Sequence, residues 1–115
     1  MSAPITTHVL DTARGRPGAG VLVALLFAEP DGVWTELARG TTDADGRIRD
    51  WLPDDFSLKA GDYELRFATG DYFAALSVAG FYPEVRVRVR LDAPGGHYHV
   101  PLLLSPFGYS TYRGS

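Results

Sequence analysis

The sequence predicts an all-β protein, an antiparallel β-sandwich of seven to eight short strands with one short helix. Three observations lead there. Apolar residues alternate with charged ones over strand-length runs, turn signals recur about every 8–12 residues, and 115 residues suffice for one buried core but not two. Residues 1–115 are therefore read as a single domain.

The elements follow in order. Ile5 to Asp11, ITTHVLD, divides into a face of Ile5, Thr7 and Val9 and a face of Thr6, His8 and Leu10. Val21 to Glu29 is apolar on both faces, the mark of a central strand; Pro30-Asp31-Gly32 turns it into a hairpin partner over Val33 to Thr41. Asp43-Ala44-Asp45-Gly46 has two short acidic side chains and a glycine able to adopt positive φ, so a strand is expected over Arg47 to Trp51. Tyr63 to Phe67 and Glu84 to Leu91 alternate strictly, with Arg86, Arg88 and Arg90 on the wet face of the second. Between them, Asp71 to Ala79 reads as the helix, with Asp71 as N-cap and Gly80 as its stop. His97 to Leu104 is a strand containing Pro101, which lacks an N–H and is expected at an edge or bulge. Tyr109 to Arg113 closes the fold.

Composition removes several function classes. The chain is 45% hydrophobic and 22% charged with net charge −3, so it lacks the basic surplus that phosphate binding requires, and nucleic acid is not an expected partner. With no cysteine, disulfides, thiol nucleophiles and thiolate metal sites are excluded. The opening MSAPITTHVLD has neither a basic nor an apolar leader segment, and cytoplasmic residence is the expectation. The longest apolar run, Gly20 to Ala28, falls well short of the ~20 residues a membrane helix needs, so no membrane role is expected.

Acid–base chemistry near neutral pH would run through His8, His97 and His99, the chain's only histidines. His97 and His99 are two apart on an expected strand and so share a face. That spacing suits a metal-ligand pair or paired acid–base work, and equally suits ordinary solvated histidines. A three-nitrogen zinc site of His8, His97 and His99 is one alternative. Arg47, at a strand mouth, offers a planar fork of donors for carbonyl or anionic groups, or is a plain surface arginine. The C-terminal YSTYRGS reads by composition as a frayed tail.

Two segments at opposite ends change that balance. ITTHVLDTARGRP near the start and HYHVPLLLSPFGYSTYRGS at the end resemble signatures of the 5-hydroxyisourate hydrolases, the enzymatic branch of the transthyretin-related family. The resemblance spans essentially the whole chain, and the terminal YRGS is its most specific part. Departures are small: Gly18-Ala19-Gly20 loosens the segment after the first motif, and Gly108 stands where the family often has a small polar residue.

The resemblance implies a transthyretin-like sandwich that hydrolyses 5-hydroxyisourate without a cofactor or metal. It implies a homotetramer, a dimer of dimers, with sites at subunit interfaces. Catalytic roles fall on His8, Arg47 and His99, and Tyr112, Arg113, Gly114 and Ser115 join them in substrate binding; His97 has no firm role. Burial near Arg47 is expected to depress the histidine pKa values. Two alternatives without catalysis remain: a transthyretin-like carrier of an apolar or aromatic ligand, and a purely structural module.

Overall fold

The computed structural model describes residues 4–92 and 96–115; residues 1–3, part of the stretch read for a leader, lie outside them. In chain order the elements are β1 (Ile5–Asp11), β2 (Arg16–Pro17), β3 (Leu22–Ala28), β4 (Trp34–Thr41), β5 (Arg47–Ile48), β6 (Gly61–Phe67), α1 (Thr69–Ala75), β7 (Val85–Leu91), β8 (Tyr98–Ser105) and β9 (Gly108–Thr111). Among the described residues the seven longer strands are those expected, β5 is the opening of the strand expected from Arg47, and β2 is a two-residue addition.

One sheet runs β2-β1-β8-β9, with β5 also paired to β1; the other runs β4-β3-β6-β7. Every pair is antiparallel except β1 with β8, which run parallel from Ile5↔Tyr98 to Asp11↔Leu104. Those two strands lie at opposite ends of the chain, so no hairpin dictates their direction. β3 lies between β4 and β6, the central position that its double-sided apolar character predicts.

The alternation read from sequence is the alternation that builds the core. Ile5, Val9, Ile48, Tyr98, Val100, Leu102 and Leu104 from the first sheet meet Val23, Leu25, Phe27, Tyr63, Leu65, Phe67, Val85, Val87 and Leu91 from the second, all buried. At about 25 cal/mol per Å² of apolar surface, this interface is the dominant stabilising term of the fold. On the far face of the second sheet Glu64 is buried yet ionised: burial raises its pKa, but hydrogen bonds from Arg66 and Arg88 outweigh that and lower it.

Three local expectations are corrected. The helix begins at Thr69 and ends at Ala75, and its N-cap is Ala68 with no capping side chain, so Asp71 lies inside the first turn. Backbone carbonyls do the work assigned to Asp71: the amide of Ala68 bonds Leu22 and that of Gly70 bonds Pro83. The helix stops at Ser77, whose φ is +58°, rather than at Gly80. The strand expected over Arg47 to Trp51 is cut to Arg47–Ile48, because Trp51 swings back to donate its indole N–H to the Ile5 carbonyl at 2.8 Å.

Pro101 is on an interior strand rather than an edge. Its lack of an N–H is accommodated where the β9 ladder ends at Leu102↔Thr111; pairing resumes in the same register at an isolated bridge, His99↔Gly114. The Thr111 hydroxyl donates to the Pro101 carbonyl at 2.7 Å across that gap.

Candidate active site

The polar face of β1 looks away from the core, and its neighbours are set by register. In the antiparallel pair with β5, His8 stands directly opposite Arg47; in the parallel pair with β8, Thr6 stands beside His99. Directly opposed residues share a face with Cβ atoms about 4.5–5.5 Å apart. The His99↔Gly114 bridge adds the C-terminal tail to the same row. Segments separated by roughly the whole chain length thus meet on one sheet surface.

The DADGR turn fixes Arg47. Asp43 accepts from the amides of Asp45 at 2.9 Å and Arg47 at 3.0 Å, and the Arg47 bond holds its carboxyl below the usual carboxylate range. Gly46 adopts φ +77°, and its carbonyl accepts from the amide of Val9 at 2.7 Å, clamping the turn onto β1. The same turn presents the carbonyl of Asp45 to the His8 ring, which donates from Nε2 at 3.0 Å. A carbonyl only accepts, so the proton of neutral His8 is on Nε2 and the lone pair is on Nδ1.

A cavity of about 180 Å³ opens beside this row, lined by Thr6, Thr7, Arg47, Arg49, His97, His99 and Ser115. His8 borders the row without lining that cavity; its ring centroid is 6.4 Å from that of His99, with the planes at 34°. The Thr6 hydroxyl lies 2.8 Å from His99 Nδ1 and 3.4 Å from His97 Nε2. His97 precedes β8 instead of belonging to it, and is exposed, whereas His8 and His99 are half-buried. Both of these rings are held below the ordinary histidine value, by desolvation first and then by the charge of Arg47. At neutral pH they are unprotonated bases beside a permanent cation.

The C-terminal tetrapeptide divides. Ser115 lines the histidine cavity, and Gly114 packs against His99, where a Cβ would come within 2.6 Å of the ring. Arg113 instead stacks over Tyr98 at 4.9 Å, and Tyr112 with Arg113 lines a second cleft of about 350 Å³ along β7, to which His99 also contributes. Among the described residues no three His, Cys, Asp or Glu side chains gather as metal ligands, so the zinc alternative has no donor set there. No helix among them is long and apolar enough to cross a membrane.

Thr6, Arg49 and the Asp45 carbonyl were missed as site groups in the sequence. Thr6 shares the His8 face and Arg49 shares the parity of Arg47, so period two contained a signal for both; a main-chain carbonyl leaves none.

A β-sandwich that carries two neutral histidines beside an arginine on one sheet face has the groups for acid–base work on a small molecule, and equally for binding one. Residues 5–114 match the HIUase/Transthyretin family model, and the chain belongs to that family. It is 47% identical to the probable 5-hydroxyisourate hydrolase of Schizosaccharomyces pombe, over 96% of this chain and 90% of that protein. Among solved structures it is similar to sea bream transthyretin in complex with thyroxine, with TM-score 0.90 and 32% identity over 97% of this chain and 95% of the other. It is also similar to 5-hydroxyisourate hydrolase of Klebsiella pneumoniae, with TM-score 0.82 and 35% identity over 96% and 98%. Backbone likeness to both a thyroxine-bound protein and a hydrolase leaves the choice between them to the side chains.

Proposed function

We propose that this protein is an enzyme that hydrolyses 5-hydroxyisourate to 2-oxo-4-hydroxy-4-carboxy-5-ureidoimidazoline, one step in urate breakdown. The observation that carries the reading is the cross-strand pair of His8 and Arg47, with His99 beside it, both rings neutral at pH 7. A passive carrier of an apolar ligand has no use for such a set, and relatives at 44–47% identity bear the hydrolase name.

Water is a weak nucleophile, and proton removal by a positioned base accelerates its attack by about 10²–10⁴. His8 has the free lone pair, on Nδ1, because the Asp45 carbonyl holds its proton on Nε2. In the proposed reaction His8 Nδ1 takes a proton from water as the oxygen bonds to the ring amide carbon. Arg47 binds the oxygen on which negative charge grows. The carbon–nitrogen bond then breaks and the leaving nitrogen takes up the proton now held by the His8 imidazolium, which returns His8 to its neutral form, while His99 positions the water. Ser115 closes the cavity wall and Gly114 lets the tail lie flat on His99. No cofactor takes part in these steps.

The active form in this reading is a homotetramer, a dimer of dimers, working in the cytoplasm as one domain over residues 1–115. Support comes from the site's own surface: it occupies an uncovered sheet face where Leu10 and Leu103 remain partly exposed beside the polar row, a face a second subunit would complete.

The test is the decay of 5-hydroxyisourate, freshly generated from urate by urate oxidase, with and without substoichiometric protein. Acceleration beyond the spontaneous rate is expected. A folded sample that leaves the decay unchanged would return the protein to the carrier reading.

A further inference from the structure

We propose that Arg49 is a substrate-binding residue, which together with Arg47 makes the histidine cavity a receptor for a planar heterocyclic anion. The proposal deepens the hydrolase reading and rests on it for the substrate; the binding half of its test stands apart from turnover.

The two sheets use arginine differently. On the second sheet Arg39, Arg66, Arg86, Arg88 and Arg90 each pair with a carboxylate. On the first, Arg47 and Arg49 line one cavity, and among the described residues neither forms an ion pair. No carboxylate side chain among them lines that cavity, whose walls are hydroxyls, imidazoles and the two guanidiniums. A cleft with one sign of charge focuses its field on the opening and draws in a ligand of the other sign. Asp43 and Asp50 border an adjoining hollow that both arginines also reach. Asp43 is held low first by the amide of Arg47, and the charge of Arg49 is a smaller cause; its Oδ1 is taken by the amides of Asp45 and Arg47.

Register gives the two arginines different tasks. β5 runs antiparallel to β1 with His8 opposite Arg47 and Thr7 opposite Ile48. One further step carries Arg49 toward Thr6, whose neighbour in β8 is His99. Pairing stops at Ile48, so Arg49 stands exposed at the cavity mouth. Same-face positions on a strand are about 6.6 Å apart, so one planar bicycle can meet both guanidiniums. Arg47 serves the end where water attacks beside His8, and Arg49 holds the other end.

The product proposed above keeps a five-membered ring bearing an oxo group, so the bond that breaks belongs to the other ring. A ring N–H beside that oxo group and a C=N bond ionises readily, because the charge spreads over nitrogen and oxygen. The resulting edge is planar with two adjacent acceptors, the shape a guanidinium fork matches best. Since that edge survives the reaction, Arg49 binds substrate and transition state alike and contributes to KM rather than to kcat.

The experiment titrates urate, a monoanion near neutral pH, into the parent protein, Arg49→Gln, Arg49→Lys and Arg16→Gln by calorimetry, with hypoxanthine as a neutral ring of similar size. Arg16→Gln removes the same charge from β2, outside the cavity. Urate should bind the parent in a salt-sensitive manner and bind Arg49→Gln about tenfold more weakly, the loss of one charge-assisted hydrogen bond. Arg49→Lys should fall between them, Arg16→Gln should match the parent, and hypoxanthine should not distinguish the four. With 5-hydroxyisourate, Arg49→Gln should raise KM about tenfold and leave kcat within about twofold. A parent that does not bind urate overturns the proposal, as does an Arg49→Gln variant with parental affinity. Equal losses in Arg16→Gln, or a fall in kcat at constant KM, overturn it too. If the parent does not accelerate 5-hydroxyisourate decay the hydrolase reading fails, while the urate titrations still decide whether Arg49 holds an anion.

Discussion

Gly114 donates its amide to the carbonyl of His99 at 2.8 Å, and a Cβ built on Gly114 would lie 2.6 Å from the His99 ring. The tail thus rejoins β8 beyond Pro101 and lies against the imidazole, at a separation that only glycine permits. Gly114→Ala must push either the tail or the ring aside. Because Gly114 sits on an isolated bridge outside the strands and the core, stability should barely change. Turnover should fall at least about tenfold, since displacement of a catalytic group by an ångström is costly. Steady-state kinetics beside a thermal melt will check it; parental turnover would show that the tail does not fix the ring.

Removing the charge at Arg47 should be more severe. Arg47→Ala leaves β5 and the Asp43 turn in place, because both hold the main chain. Loss of a donor to a developing oxyanion lowers kcat by about 10²–10³. A variant within a few-fold of the parent would take Arg47 out of the mechanism.

The histidine titrations carry a sign. Desolvation and Arg47 hold His8 and His99 below the ordinary value of 6.5, so activity should persist as pH falls through 6.5 and decline only at lower pH, where the rings protonate. Stability follows the same direction. Above 6.5 the rings are neutral in both folded and unfolded chains; below it the unfolded chain binds protons that the folded chain resists, so stability falls until the folded values are passed. In Arg47→Ala both pKa values should rise, though not fully to 6.5, because desolvation is the larger cause. Titration of the ring resonances by NMR measures this directly, and unmoved values would refute the assigned coupling.

Gly46→Ala should act through the fold. A Cβ there would collide with the Val9 carbonyl oxygen, at φ +77°. Left-handed strain and overpacking together should cost about 3 kcal/mol, read from urea denaturation, and should loosen the Asp45 carbonyl from His8. A loss under about 1 kcal/mol would mean the turn can relax without its clamp on β1.

Much of this molecule is legible in the order of its residues. Period two separates the buried valines and leucines of β7 and β8 from their polar neighbours, because a pleated strand sends alternate side chains to opposite faces whatever it packs against. The double-sided apolar run of β3 likewise announces its central place. His8, Arg47, His99 and the terminal residues are singled out in the sequence by residue type and by family resemblance. The tertiary structure decided what no local pattern encodes. Only the parallel register of β1 with β8 brings Thr6 beside His99, and only the pairing of β1 with β5 brings His8 opposite Arg47. The helix starts where the carbonyls of Leu22 and Pro83 satisfy amides of its first turn rather than where Asp71 would place it, and it ends at a left-handed Ser77 before Gly80 is reached. The tautomer of His8 depends on a main-chain carbonyl 37 residues away, a group every residue possesses and no sequence distinguishes. Alternation is a local property of the chain; register, and the hydrogen bonds that set a proton on one nitrogen or the other, belong to the packed whole.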